Sequence, residues 1–269
     1  MLDVVTDESF DFEKTYEYIL SIQVSLNGFS FSVKQPTENK LLAYKNKAIK
    51  ISSNSLLSRH FNEWYQTEDI LHKTFKKVRI IIFSELFSLI PENLFNQHLK
   101  SLAPQILFDN KANFEIAENI INRLKAKLIF TLPPEMNSTL LSLFGEYEII
   151  HPIKLIIHNL PEVSTRNGIL LLFDSGSFYT VLFNRDSVLL ANNFKMVHRN
   201  DIVFYILTML KQSGISSKQT TLLLTESAKQ LTEIDDNLKT LFSEIIHLDT
   251  ENLFPGSHQI IPYLHQCGI

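Results

Sequence analysis

The chain of 269 residues carries 25 Lys and Arg against 29 Asp and Glu, a net charge of −4, and is 45% hydrophobic and 20% charged. That composition suits one large globular domain or two modest ones and excludes wholesale disorder. The negative balance gives no global electrostatic footprint for nucleic acid. The short basic runs Lys45-Asn46-Lys47, Lys73 to Arg79 and Arg123 to Lys127 are broken by apolar residues and read as solvated strand edges.

The first fifteen residues are polar and acidic and read as a loosely packed lead-in, acidic where a signal peptide would be basic. From Tyr18, Leu20, Ile22, Val24 and Leu26 alternate with polar residues, which is strand period. Asn27-Gly28 follows as a hairpin signal, because both residues tolerate positive φ. Phe29, Phe31 and Val33 make the second strand, and a third lies within Lys40 to Ile51. Leu57, Phe61, Trp64 and Tyr65 then fall at helical spacing after a Ser/Asn cap, and Val78 to Phe83 reads as a buried strand. Pro91 is expected to open a helix with Leu94, Phe95, Leu99 and Leu102 on one face. The apolar stretch from Val78 to Ile90 is interrupted by Arg79 and Glu85 and is too short to span a bilayer.

Phe114 to Ile121 and Lys125 to Leu132 read as two strands. Leu140, Leu141 and Phe144 mark a short helix closed by Gly145, and Tyr147 to Ile150 a further strand. His151 and His158 are expected to flank an apolar strand, and Leu160 to Asn167 to connect two halves. The opening order then returns. Strands at Ile169 to Phe173, Phe178 to Phe183 and Val188 to Asn193 are separated by the turns Asp174-Ser175-Gly176-Ser177 and Asn184 to Asp186. A helix follows from Asn200, with Ile202, Val203, Ile206, Leu207 and Leu210 on one face. Next come a buried strand Thr220 to Leu224, a helix through Leu231, Ile234, Leu238 and Leu241, and a strand Ile245 to Leu248. Asp235-Asp236 reads as a solvated face or a helix start. Both halves thus begin strand, hairpin, strand, strand, helix, strand, helix, a repeat of topology with almost no residue identity. The expected organisation is a lead-in over 1–15, a first half over 16–165 and a second over 166–269.

That duplicated order resembles the ribonuclease H-like group of actin, Hsp70 and sugar kinases. The chain also resembles a bacterial family of unknown function with an actin-like ATPase fold. The matching segments are Ser88-Leu89-Ile90-Pro91-Glu92-Asn93-Leu94-Phe95, Leu189-Leu190-Ala191-Asn192-Asn193-Phe194, and Asp201 to Leu207. The resemblance runs from about Tyr16 over nearly the whole chain. It implies an α/β fold of two tandem ribonuclease H-like halves, mixed sheets flanked by helices. The family is distantly similar to actin-like proteins of pilus assembly and type II secretion, which act largely as scaffolds.

Active members of the actin-like group cradle ATP and Mg²⁺ with two phosphate hairpins, each typically an acidic residue, a variable one, Gly, then a small or hydroxyl residue. Glycine admits backbone N–H groups to the phosphates, and the carboxylate helps hold the metal, usually through water. The first hairpin, Gln23-Val24-Ser25-Leu26-Asn27-Gly28, has no carboxylate and places Leu26 before the turn. The second, Asp174-Ser175-Gly176-Ser177, keeps the pattern, so Asp174, Gly176 and Ser177 form the candidate phosphate hairpin, although the same residues make an ordinary turn. The adenosine loop expected after Leu224 reads Thr225-Glu226-Ser227-Ala228 and lacks glycine, with Glu226 suited to a first helical turn.

His247, His258, His265 and Cys267 have spacings that match no zinc pattern, and no metal site is expected. The single cysteine, Cys267, excludes an internal disulfide and fits a reducing compartment. The sequence therefore predicts a cytoplasmic, non-catalytic actin-like scaffold or interaction protein. It expects a protein partner of unknown identity, no nucleic acid and no membrane insertion, and it leaves the oligomeric state open. The alternative is a divergent ATP-binding protein or ATPase using Asp174. A ribonuclease H-like nuclease would need carboxylates on adjacent strands to hold two metals, and the opening strands of the first half offer none.

Overall fold

Alternation at period two predicts the strands that surround the chain's two hairpins, and a computed structural model places them in two separate sheets. It describes residues 4–96, 98, 114–163, 165–174, 176–185, 187–198, 200–225, 235–248, 250–251, 260–261 and 263–267. The chain divides into two compact units, the first running to Leu155 and the second beginning at Ile156.

In the first unit, β1 (Val5–Thr6), β2 (Ile19–Ser25), β3 (Gly28–Gln35), β4 (Lys40–Ala48), β5 (Lys77–Ile82) and β9 (Glu148–Ile150) form a six-stranded sheet ordered β1-β4-β3-β2-β5-β9. The meander β2-β3-β4 is antiparallel, while β5 and β9 run parallel to β2. Leu20, Ile22 and Val24 of β2 are wholly buried and alternate with half-buried Ser21 and Gln23, as a strand with one covered face requires. Helix α1 (Leu57–Tyr65) buries Leu57, Phe61, Trp64 and Tyr65. Phe29 stacks on Trp64 at 5.1 Å between ring centroids and meets Phe61 edge-on at 5.5 Å. Helix α2 (Met136–Phe144) ends at Gly145, as expected.

β6 (Phe87–Pro91), β7 (Glu115–Ile121) and β8 (Ala126–Leu132) make a separate antiparallel sheet ordered β6-β8-β7. Here the structure corrects one expectation. Pro91 does not open a helix; it ends β6 and leads into a single 3₁₀ turn, Glu92–Leu94. Long-range pairing overrides the local signal: Ile90 pairs with Lys127, Ile90 buries against Ile129, and Glu92 N–H donates to Lys125 O at 2.9 Å. Leu99 and Leu102 lie outside the described residues.

Two further expectations change. The lead-in is tied down, since Val5 pairs with Tyr44 and Thr6 with Ala43, and the Asp7 carboxylate meets Lys40 Nζ at 2.8 Å. The apolar run between His151 and His158 is helix α3 (Pro152–His158) rather than a strand. Pro152 suits a first helical turn, and the His151 ring accepts the Ile153 N–H at 3.2 Å, as a capping side chain does.

In the second unit, β10 (Asn167–Asp174), β11 (Ser177–Asn184), β12 (Val188–Lys195), β13 (Thr220–Leu224) and β14 (Glu244–His247) form a five-stranded sheet ordered β12-β11-β10-β13-β14. The meander is again antiparallel and the last two strands parallel to the first. This is the order of β4-β3-β2-β5-β9, so the duplication read from the sequence exists as topology. It extends to register: Val24 pairs with Phe29 and Phe173 with Phe178, each one step from its turn. Helix α4 (Asn200–Gln212) packs Ile202, Ile206, Met209 and Leu210 with Leu171, Leu222 and Phe178. Helix α5 spans Asp235–Leu241 among the described residues, the two-residue strands β15 (Thr250–Glu251) and β16 (Ile260–Ile261) pair antiparallel, and helix α6 spans Tyr263–Gln266. Leu231 and Ile234 lie outside the described residues.

Candidate functional site

The candidate phosphate hairpin joins β10 to β11. Asp174 closes β10 and pairs in register with Ser177, which opens β11; Ser175 lies outside the described residues. Gly176 takes φ +68°, the left-handed conformation that glycine adopts at no steric cost, and a Cβ built there meets nothing within 4 Å. The Gly176 carbonyl accepts Met196 N–H at 2.7 Å, so the turn is fastened to the end of β12. Asp174 is half-buried, whereas Ser177 is 1% exposed. The Ser177 hydroxyl accepts a long 3.4 Å hydrogen bond from the Asn193 side chain.

The matching hairpin of the first unit has the same frame and different contents. Ser25 pairs with Gly28 across the turn Leu26-Asn27. The Asn27 amide donates to Ser25 Oγ at 3.0 Å, while the Asn27 and Leu26 carbonyls accept Ile49 and Ile51 N–H at 2.9 and 2.8 Å. Gly28 sits at φ +123°, and a Cβ there would fall against the Lys47 carbonyl oxygen and 2.7 Å from Ile49 N.

At the end of β13, Thr225 is fully buried, and its amide and hydroxyl both donate to Leu171 O, at 3.0 and 3.1 Å. Glu226, Ser227 and Ala228 lie outside the described residues, as does His258. Among the described residues, no group of three or more His, Cys, Asp or Glu is placed to hold a metal ion. His265 and Cys267 sit in and just after α6, where burial pushes the His265 imidazole down to about 3.

One buried polar network escaped the sequence reading. His151, wholly buried between the rings of Phe87 and Phe130, donates from Nε2 to Ser84 O at 2.9 Å. Its own amide donates to Asn119 Oδ1 at 2.8 Å, and Ser84 Oγ lies 2.9 Å from Thr131 Oγ1. Burial holds the ring well below the usual histidine range, at about 4, against the opposing bond to Ser84. The network ties the ends of β5 and β9 to β7 and β8; the Pro after His151 was its one local signal.

No helix among the described residues is long and apolar enough to cross a membrane. Among curated proteins, none matches the chain. A Bacteroides thetaiotaomicron protein described as having an actin-like ATPase fold and unknown function matches at 23% identity and a TM-score of 0.79, over 88% of this chain and 93% of that one. The PilM-PilN type IV pilus biogenesis complex matches at 10% identity and a TM-score of 0.45, over 86% and 88% of the two chains. The ethanolamine utilization protein EutJ from Carboxydothermus hydrogenoformans matches at 6% identity and 0.45, over 90% and 87%. The first of these carries the fold assignment: the chain has an actin-like ATPase fold. A family model described as protein of unknown function (DUF3822) matches residues 7–245, and the chain belongs to that family.

Proposed function

We propose that this protein is a non-catalytic, actin-like scaffold or interaction protein of the cytoplasm whose nucleotide site is degenerate. The observation that carries this reading is the first hairpin. A phosphate cradle needs amides aimed outward at the ligand and a carboxylate for the metal. Here the Asn27 amide is held by Ser25 Oγ, and the turn carries Leu26 in place of an acid. The burial of Ser177 on the second hairpin supports the same reading.

Isothermal titration of the full chain with ATP and Mg²⁺ is expected to give no binding heat, and ATP turnover to stay at the buffer blank. A second reading, a divergent nucleotide-binding protein using Asp174, is favoured by the open space beside Gly176. A magnesium-dependent heat that Asp174→Asn removes would establish that second reading and overturn the first.

A further inference from the structure

The basic run Lys73 to Arg79 is more than a solvated strand edge. Its residues Lys73 to Val78 form one side of a pocket of about 420 Å³ in the first unit, where α1 and α2 end and β5 and β9 begin. The opposite side is aromatic: Tyr65 meets Phe144 edge-on at 5.4 Å, and Tyr147 is fixed through its hydroxyl to Asn137 O at 3.0 Å. His72 packs 4.7 Å from the Tyr65 ring and donates from Nε2 to the Tyr65 carbonyl at 3.0 Å, which makes this side rigid.

The charges around the pocket do not cancel. Its lining carries Lys73, Lys76 and Lys77 against Glu146 and Glu148. Glu148 is already shared among three cations, with Lys77 at 2.7 Å, Lys154 at 3.1 Å and the 8% exposed Arg79 at 3.8 Å. Of those three cations only Lys77 lines the pocket, so the lining itself keeps three lysines against two carboxylates, one of them already engaged by Lys77. Among the described residues Lys73 reaches only exposed Glu13, at 3.9 Å. Lys76 has no carboxylate partner among the described residues, and its backbone is fixed by its amide bond to Tyr18 O at 3.0 Å.

We propose that this pocket binds a small phosphate monoester, its phosphoryl group between Lys73 and Lys76 and a flat ring against Tyr65, Phe144 and Tyr147. A doubly charged phosphoryl group matches two lysines acting as point charges, and the volume suits a compact ligand. The site is separate from the hairpin of Asp174 and does not depend on whether that hairpin binds nucleotide.

The test is calorimetry on the full chain at low salt with phenyl phosphate, alongside inorganic phosphate. Phenyl phosphate is expected to bind with a millimolar or lower Kd, at least about fivefold tighter than inorganic phosphate, and more weakly as salt rises. Lys73→Gln/Lys76→Gln alters two exposed side chains, keeps the fold by circular dichroism, and should weaken binding by about tenfold or more. Asp174→Asn should leave it unchanged. No heat at about 10 mM phenyl phosphate, parent affinity in the lysine double variant, or loss of binding in Asp174→Asn would each overturn the assignment. Equal affinity for inorganic phosphate would overturn the role given to the aromatic side.

Discussion

The two hairpins occupy the same place in the same strand order, yet their glycines are required for different reasons. Gly28 is needed because another strand's backbone passes where a side chain would begin: the Lys47 carbonyl and Ile49 amide fill that space. Gly176 faces open space and is needed only for its φ of +68°. Duplicated topology thus preserves the frame of a turn while leaving its chemistry free to change. In the first unit Gly28 is part of the packing; in the second Gly176 stands clear of it.

The sharpest way to break that contrast is to add one methyl group at each position. Gly28→Ala must displace the β4 end or the hairpin, because a hard backbone contact cannot be relieved by a rotamer change. It is expected to destabilise by about 3 kcal/mol or more in urea unfolding. A loss no larger than that at Gly176 would show that the close approach is not what Gly28 serves.

Acid should act on the first unit with comparable size through His151. Its folded pKa of about 4 lies below the ordinary histidine value of 6.5, so the unfolded chain binds the extra proton between those values. Stability therefore is complete above about pH 6.5, falls as the pH drops toward 4, and is not lowered further by this group below that; the full effect is about 3 kcal/mol. His151→Gln should flatten the pH dependence of unfolding free energy in that window relative to the parent. An unchanged slope would mean that the ring is not held neutral. His265 of the second unit is shifted in the same direction, so the His151→Gln variant keeps acid sensitivity from that group.

Gly176→Ala comes third, with an expected cost of about 1 kcal/mol from the left-handed backbone alone. Smallest is Asp174→Asn. If that residue serves the turn, the amide keeps the turn-forming hydrogen bonds, and unfolding free energy should change by less than about 0.5 kcal/mol. A larger loss would mean that the charge itself stabilises the hairpin and would narrow the difference between the two turns.

Much of this was readable from local pattern. Alternation through Leu20, Ile22 and Val24 and the Asn27-Gly28 pair mark a hairpin because strand period and positive φ are properties of adjacent residues. Helical spacing of Leu57, Phe61 and Trp64 likewise predicts the face that packs on Phe29. The absence of a carboxylate between Gln23 and Gly28 is visible without coordinates.

What needed the tertiary structure depends on partners distant in sequence. Phe87–Pro91 is a strand because β8 lies beside it some forty residues later, and no local propensity encodes that neighbour. The seven residues after His151 fit strand or helix equally by hydropathy; a buried cap and a proline at the first turn decide for helix. Ser177 reads as a phosphate-facing hydroxyl by motif but is covered in the fold, where β12 pairs Lys195 with it and Asn193 donates to its hydroxyl. Likewise, Lys73, Lys76 and Lys77 form a short charged run in sequence. They become one wall of a pocket only when β9 and the end of α2 supply the other wall. Local sequence determined most of the elements, such as the two hairpins and α1, since φ preference and periodicity act within a few residues. The assembled sheets decided which side chains are free to meet a ligand, because burial and hydrogen-bond partners come from strands far apart along the chain.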